Sequence, residues 1–206
     1  MPYKSKTLHK SFLIKVNSLK QVRINFENAY NSKHIDQTDI LQAYSGLYLD
    51  LFTEFEALIE DLFIGLLTGN VLHVNSSIKT TIKIKPVSQV RNVIVGINKR
   101  YIDWLPFADR TMSLANFYFL NGNPFSFLSV PQQNQLKNYH TIRNAIAHKS
   151  SHSIDMFKKI ISSLTLLPIE RTPSGYLRSI PNPTTGLTQL EIAFDELINM
   201  SNTLCN

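Results

Sequence analysis

From Tyr139 to His152 the chain reads YHTIRNAIAHKSSH, and this stretch gathers the side chains best suited to acid–base chemistry. His140, Asn144, His148 and His152 recur every four residues, so on a helix they form a polar line that drifts slowly round the axis. Arg143 adjoins that line. An imidazole exchanges protons near neutral pH, so His148 can act as general base or general acid. A guanidinium is a permanent cation whose fork matches phosphate oxygens, so Arg143 can stabilise charge building on phosphorus. Asn144 can orient the imidazole or bond a substrate. Together these groups suffice for metal-independent RNA cleavage, in which the ribose 2′-OH attacks the neighbouring phosphorus; DNA lacks that nucleophile. One helix supplies one histidine in this setting, and two protomers about a two-fold axis would bring both proton-transfer partners together. The plain alternative is a basic amphipathic helix end whose histidines only pack.

Other chemistries find less support in the residue pattern. His148 and His152 have metal-ligand spacing, but no glutamate between them makes an HExxH motif and no cysteine completes a site. The seven glycines are scattered, without a phosphate-cradling loop, and no GxSxG nucleophile elbow occurs. No cofactor is expected. The one cysteine, Cys205, excludes a disulfide framework within the chain and fits a reducing, cytoplasmic setting. The first 33 residues are basic but lack the apolar core of a signal peptide, and no apolar run is long enough to predict a membrane span.

The scaffold that must hold the polar line is predicted to be helical. Residues 5–30 place Phe12, Val16, Leu19, Val22 or Arg23, Phe26 and Ala29 on one side. From Asp39 to Leu67 the apolar residues keep helical spacing, with Asp36 or Thr38 as a cap at the start and Gly69 after the end. On this helix Glu56 falls at the edge of the apolar stripe, where a carboxylate has a basic partner or serves a site. The segment 76–86 alternates apolar and basic residues and predicts a short strand or extended arm. Helices are expected from Pro86 or Ser88 to about Trp104, over 109–120, from Pro131 through at least His148, over 154–164 and over 187–204. The NGNP sequence marks a turn, and the Pro- and Thr-rich stretch 168–186 predicts an ordered loop. In the site helix Leu136, Tyr139 or His140, Ile142 and Ile146 should pack, with Ala145 and Ala147 allowing close approach. The expected organisation is one domain over 1–206: a basic helix in 1–33, a core bundle in 38–164, and a loop plus final helix in 165–206.

Charge is unevenly spread. Residues 1–33 carry seven Lys/Arg against one acid, and residues 34–77 carry seven acids and no Lys/Arg. Residues 78–149 carry ten Lys/Arg against two acids. Basic density of this kind attracts polyanions through counterion release, nucleic acid above all, unless it packs against the acidic helix or faces water. Lys83, Lys85 and Arg91 in the basic segment, with His140 and Lys149 beside the site, are the candidate RNA contacts.

RNAIAH, Arg143 to His148, resembles the R-x4–6-H motif of HEPN domains, including the polar residue directly after the arginine. YLDLFTEFEALIEDLF resembles the earlier core helix of that all-α bundle, with Glu56 where several HEPN branches carry a glutamate. The tail from Glu170 to Leu204 is similar to the C-terminal part of the RiboL-PSP-like HEPN branch, so the resemblance covers most of 38–204. It implies an all-α HEPN-like helical bundle with a short extended insertion, forming a homodimer with a composite cleft. It further implies a metal-independent endoribonuclease in which Arg143, Asn144 and His148 are catalytic and Glu56 supports them by holding Arg143. Toxin–antitoxin and antiviral defence systems are the implied setting, with RNA as substrate and a cognate antitoxin or effector subunit as partner. Two other classes stay open: a non-catalytic HEPN-type module that binds RNA, nucleotide or a protein, and a helical interaction protein in which the motif does no chemistry.

Overall fold

A computed structural model describes residues 2–82, 84, 89–90, 93–94 and 104–206 of the chain. It is mostly helical, as expected. Its seven α-helices among the described residues are α1 (Ser5–Asn31), α2 (Gln37–Thr68), α3 (Met112–Tyr118), α4 (Val130–His148), α5 (Ser151–Ile161), α6 (Pro173–Arg178) and α7 (Gln189–Cys205). None of the described helices is long and apolar enough to cross a membrane. The chain divides into two compact units, one built from Met1–Leu13, Phe55–Lys137 and Ile198–Asn206, the other from Ile14–Glu54 and Asn138–Leu197.

The first unit is organised around an aromatic cluster at the C-terminal part of α2. The Phe63 ring lies 4.9 Å from Phe119, 5.0 Å from Trp104 and 5.1 Å from Phe125, centroid to centroid. All four are buried, and the indole N–H of Trp104 donates to Glu60 at 3.1 Å, so the large ring is buried without stranding its donor. Gly69, at φ 74°, closes α2 as its position predicted and turns the chain into β2 (Val71–Leu72). β2 pairs in parallel with β1 (Tyr3–Lys4), through Tyr3↔Val71 and Lys4↔Leu72. A Cβ at Gly65 would sit 2.2 Å from Val71 Cγ2, so only glycine lets this return pass so close to the helix. The extended segment expected over 76–86 appears in its described part: Thr80 bridges Phe119 antiparallel, and Leu120 N–H donates to the Lys79 carbonyl at 2.9 Å.

A second polar knot in this unit secures the end of α7. The buried Ser5 hydroxyl donates to the Cys205 carbonyl at 2.6 Å. His73 lies 3.0 Å from the Leu204 carbonyl through Nε2, while its Nδ1 accepts the Asn75 N–H at 3.0 Å. A carbonyl only accepts and an amide only donates, so the His73 ring is fixed as the neutral Nε2–H tautomer. Burial also pushes the Cys205 thiol up to about 12, which keeps it an inert apolar filler.

The second unit starts with the capping of α2. Asp36 Oδ1 accepts the N–H groups of Thr38 and Asp39 at 2.7 and 3.0 Å, and Asp39 reaches back to the Asp36 N–H at 3.1 Å. Asp36 therefore fills the capping role that the sequence left open between it and Thr38. Ile40, Tyr44, Leu47, Tyr48, Leu51 and Phe52 are buried along this part of α2, following the helical stripe.

Three sequence expectations change. On α1, Phe12 and Val16 are buried as expected and Phe26 is exposed, while of the two alternatives Val22 and Arg23 it is Arg23 that takes the inward position. The reason is electrostatic: Arg23 pairs with Glu191 at 2.6 Å, and Glu27 takes a two-pronged bond from Arg178 at 2.9 and 3.0 Å. Tyr44 donates to the same Glu27 at 2.7 Å, and the Arg178 guanidinium stacks 4.5 Å over Tyr30. Within the expected loop 168–186, Pro168–Arg171 forms a 3-10 turn and Pro173–Arg178 forms α6, started by Thr172 accepting from the Gly175 N–H. Proline at the first position of a short helix reads as a loop signal in sequence but suits a helix start. The helix expected to reach Trp104 is helical at residues 89–90 and 93–94 but not at Trp104 itself, and its remaining positions lie outside the described residues.

Candidate active site

α4 carries the candidate residues and lies in the second unit from Asn138 onward. Leu136, Tyr139, Ile142, Ala145 and Ile146 are buried, so the predicted packing face is present, with Tyr139 rather than His140 inside. Ala147 is exposed, outside that face. The buried Tyr48 hydroxyl donates to the Tyr139 carbonyl at 3.0 Å, and Tyr139 in turn donates to Glu196 at 2.6 Å. Those two bonds tie α4 to α2 and α7 within the unit and so fix how far α4 is rotated about its axis.

That rotation presents the polar line. Arg143 Nη1 donates to Asn144 Oδ1 at 3.1 Å, and Asn144 Nδ2 lies 3.4 Å from His140 Nε2. With its oxygen engaged by the guanidinium, Asn144 offers His140 only a donor, so His140 Nε2 is the acceptor. Asn144 thus couples Arg143 to His140. The three side chains are half-buried.

The helix stops at His148. Lys149 takes φ 49°, a left-handed conformation that ends a helix, and Ser150 is extended (φ −75°, ψ 154°) and caps α5 by accepting the Ser153 N–H at 3.2 Å. The chain therefore leaves one helix and enters the next within two residues. Beside this turn is an open recess of about 290 Å³, lined by Thr141, Asn144, His148, Ser150, His152, Ser153 and Met156. Both His148 and His152 are exposed.

The structure brings Asn144 and His148 to one recess and joins Arg143 to it through Asn144. His140 belongs to the same chain of bonds. Lys149 lines a different and larger groove of about 700 Å³, with Gly46, Leu49, Ala145, Ile146 and Ile154 among its walls. Glu56 is half-buried on α2 and belongs to the first unit. Lys83, Lys85 and Arg91 lie outside the described residues. Among the described residues, no three His, Cys, Asp or Glu side chains cluster as a bound metal ion would require. The residue that sequence reasoning left without a role is His152. Its four-residue spacing was visible, but a continuous helix is not what brings it to the recess; the turn at Lys149 and Ser150 does.

No protein-family model, curated protein or solved structure matches this chain.

Proposed function

We propose that this chain is a metal-independent endoribonuclease that works as a homodimer, in the setting of a toxin or defence effector. The observation that carries the reading is the hydrogen-bonded Arg143–Asn144 pair beside a recess that also holds His148. The residue types fit the demands of the reaction. His148 as base takes the proton of a ribose 2′-OH while that oxygen bonds to the adjacent phosphorus, and the P–O5′ bond breaks as a proton passes to the leaving oxygen. The products are a 2′,3′-cyclic phosphate and a free 5′-OH, with no water or cofactor consumed. Arg143 offsets the charge gathering on the phosphoryl oxygens, and Asn144 holds Arg143 in place. The RNAIAH motif supports the same assignment through its resemblance to HEPN ribonucleases. Glu56 is assigned a supporting role, and the antitoxin or effector partner remains part of the proposal.

The test is cleavage of total RNA and tRNA with EDTA present, comparing the wild type with His148→Ala and Arg143→Ala, each checked for folding and dimerisation. Cyclic-phosphate ends that disappear in both variants are the expected result. A folded dimer that leaves all these RNAs intact sinks the proposal and turns the reading toward an RNA-binding module. Strong expression without restraint is expected to arrest growth, and His148→Ala to relieve the arrest.

A further inference from the structure

Cleavage by internal attack needs two proton movements, one away from the 2′-OH and one toward the leaving O5′. If a chain contributed a single histidine, the second group would have to come from the other protomer. The recess contains more than that. His152 lines it together with His148, both imidazoles are exposed, and Asn144 lies on the same wall.

Resting on the ribonuclease reading above, we propose that His152 is the second proton-transfer residue, so that one chain carries both the acid and the base. The backbone explains how residues four apart come to share a recess although the helix between them is broken. His148 is the last residue of α4, Lys149 turns left-handed at φ 49°, and His152 sits in the first turn of α5. Ser150 and Ser153 lock that turn: the Ser153 N–H donates to Ser150 Oγ at 3.2 Å, and the Ser153 hydroxyl donates to the Ser150 carbonyl at 2.9 Å. Ser153 is buried. The two imidazoles are thus carried by two helix ends joined through a capped two-residue turn, and not by a floppy loop. In the reaction one neutral imidazole accepts the 2′-OH proton, the other, protonated, delivers its proton to O5′, and the two return to their starting states by exchange with water. An in-line displacement places attacking and leaving oxygens on opposite sides of phosphorus, which suits groups from two different helices better than two from one face.

Three measurements on the full chain test the assignment. His152→Ala should fold and dimerise normally, bind RNA with little change, and lose about 10²-fold or more in kcat. Its pH–rate profile should keep only one limb of the wild-type bell. Second, an RNA with a 5′-sulfur leaving group needs no proton on departure. This substrate should restore cleavage to whichever of His148→Ala and His152→Ala lacks the acid and leave the other impaired. Third, mixed dimers of His148→Ala and His152→Ala should stay inactive, since every chain lacks half of its pair. Activity regained on mixing, or a His152→Ala enzyme with wild-type kcat and a two-limbed profile, overturns the assignment while leaving the ribonuclease reading intact. An inert wild type overturns both.

Discussion

His73 is buried and held by two backbone groups, whereas His148 stands exposed at a helix end beside an open recess. His9 resembles His73: half-buried, it contacts the Ser201 hydroxyl at 2.8 Å, and that hydroxyl itself donates to the Ile198 carbonyl. Burial pushes the imidazoles of both His9 and His73 below their ordinary range. The pairs teach where a histidine is spent. In the first unit both nitrogens of the His73 ring are used up by the fold; in the second the imidazoles of His148 and His152 stand exposed at the recess.

The sharpest way to break this contrast is to remove one histidine of each kind. His148→Ala is expected to lower cleavage by about 10²–10⁴-fold while thermal or denaturant stability stays within about 0.5 kcal/mol of the wild type. Equal damage to stability would make His148 a packing residue. His73→Ala should do the reverse. Truncation strands the Leu204 carbonyl and the Asn75 N–H, for a loss of about 1–3 kcal/mol in a denaturant titration, with activity per folded molecule unchanged.

The contrast also has a pH signature. A His73 pKa held below the ordinary value of 6.5 means that the unfolded chain takes up this proton first as pH falls. The contribution of the neutral ring to stability is therefore complete above about 6.5, and it declines as pH drops from there toward the folded value. Denaturant midpoints measured at pH 7.5 and 5.5 should fall on acidification in the wild type and fall less in His73→Ala. The smallest expected effect concerns the turn. Lys149→Gly relieves a left-handed residue and should stabilise by about 0.5–1 kcal/mol. If Lys149 also contacts RNA, binding should weaken by the same substitution while kcat for bound substrate holds; unchanged binding would leave it a backbone role alone.

Long periodic segments were the most legible part of the sequence. The expected 5–30 and 39–67 helices became Ser5–Asn31 and Gln37–Thr68, because many apolar residues vote for one period and one frayed end shifts little. The site helix was visible for the same reason, but its end at His148 was not, since the expectation ran through at least that residue. Short elements were not: β1 and β2 hold two residues each and have no alternation to read. The inward face of α1 was misjudged at Phe26 and left open between Val22 and Arg23, because hydrophobicity alone does not register that Glu191 and Arg178 offer partners to Arg23 and Glu27. At the site, the residue types were legible and their grouping only partly so. Arg143, Asn144 and His148 were singled out by kind, but the separation of Lys149 from His148 depends on a single positive φ that no side-chain pattern announces.

Both units are assembled from stretches far apart in the chain, and neither is complete before residue 197 is made. When α4 has been synthesised, α7, with the Glu196 that holds Tyr139 and the Glu191 that holds Arg23, is still unmade. Prematurely ended translation products consequently carry the motif without the packing that aims it. Timing thus becomes a property of the topology: a chain of this layout completes the packing of α4 only once α7 has been made.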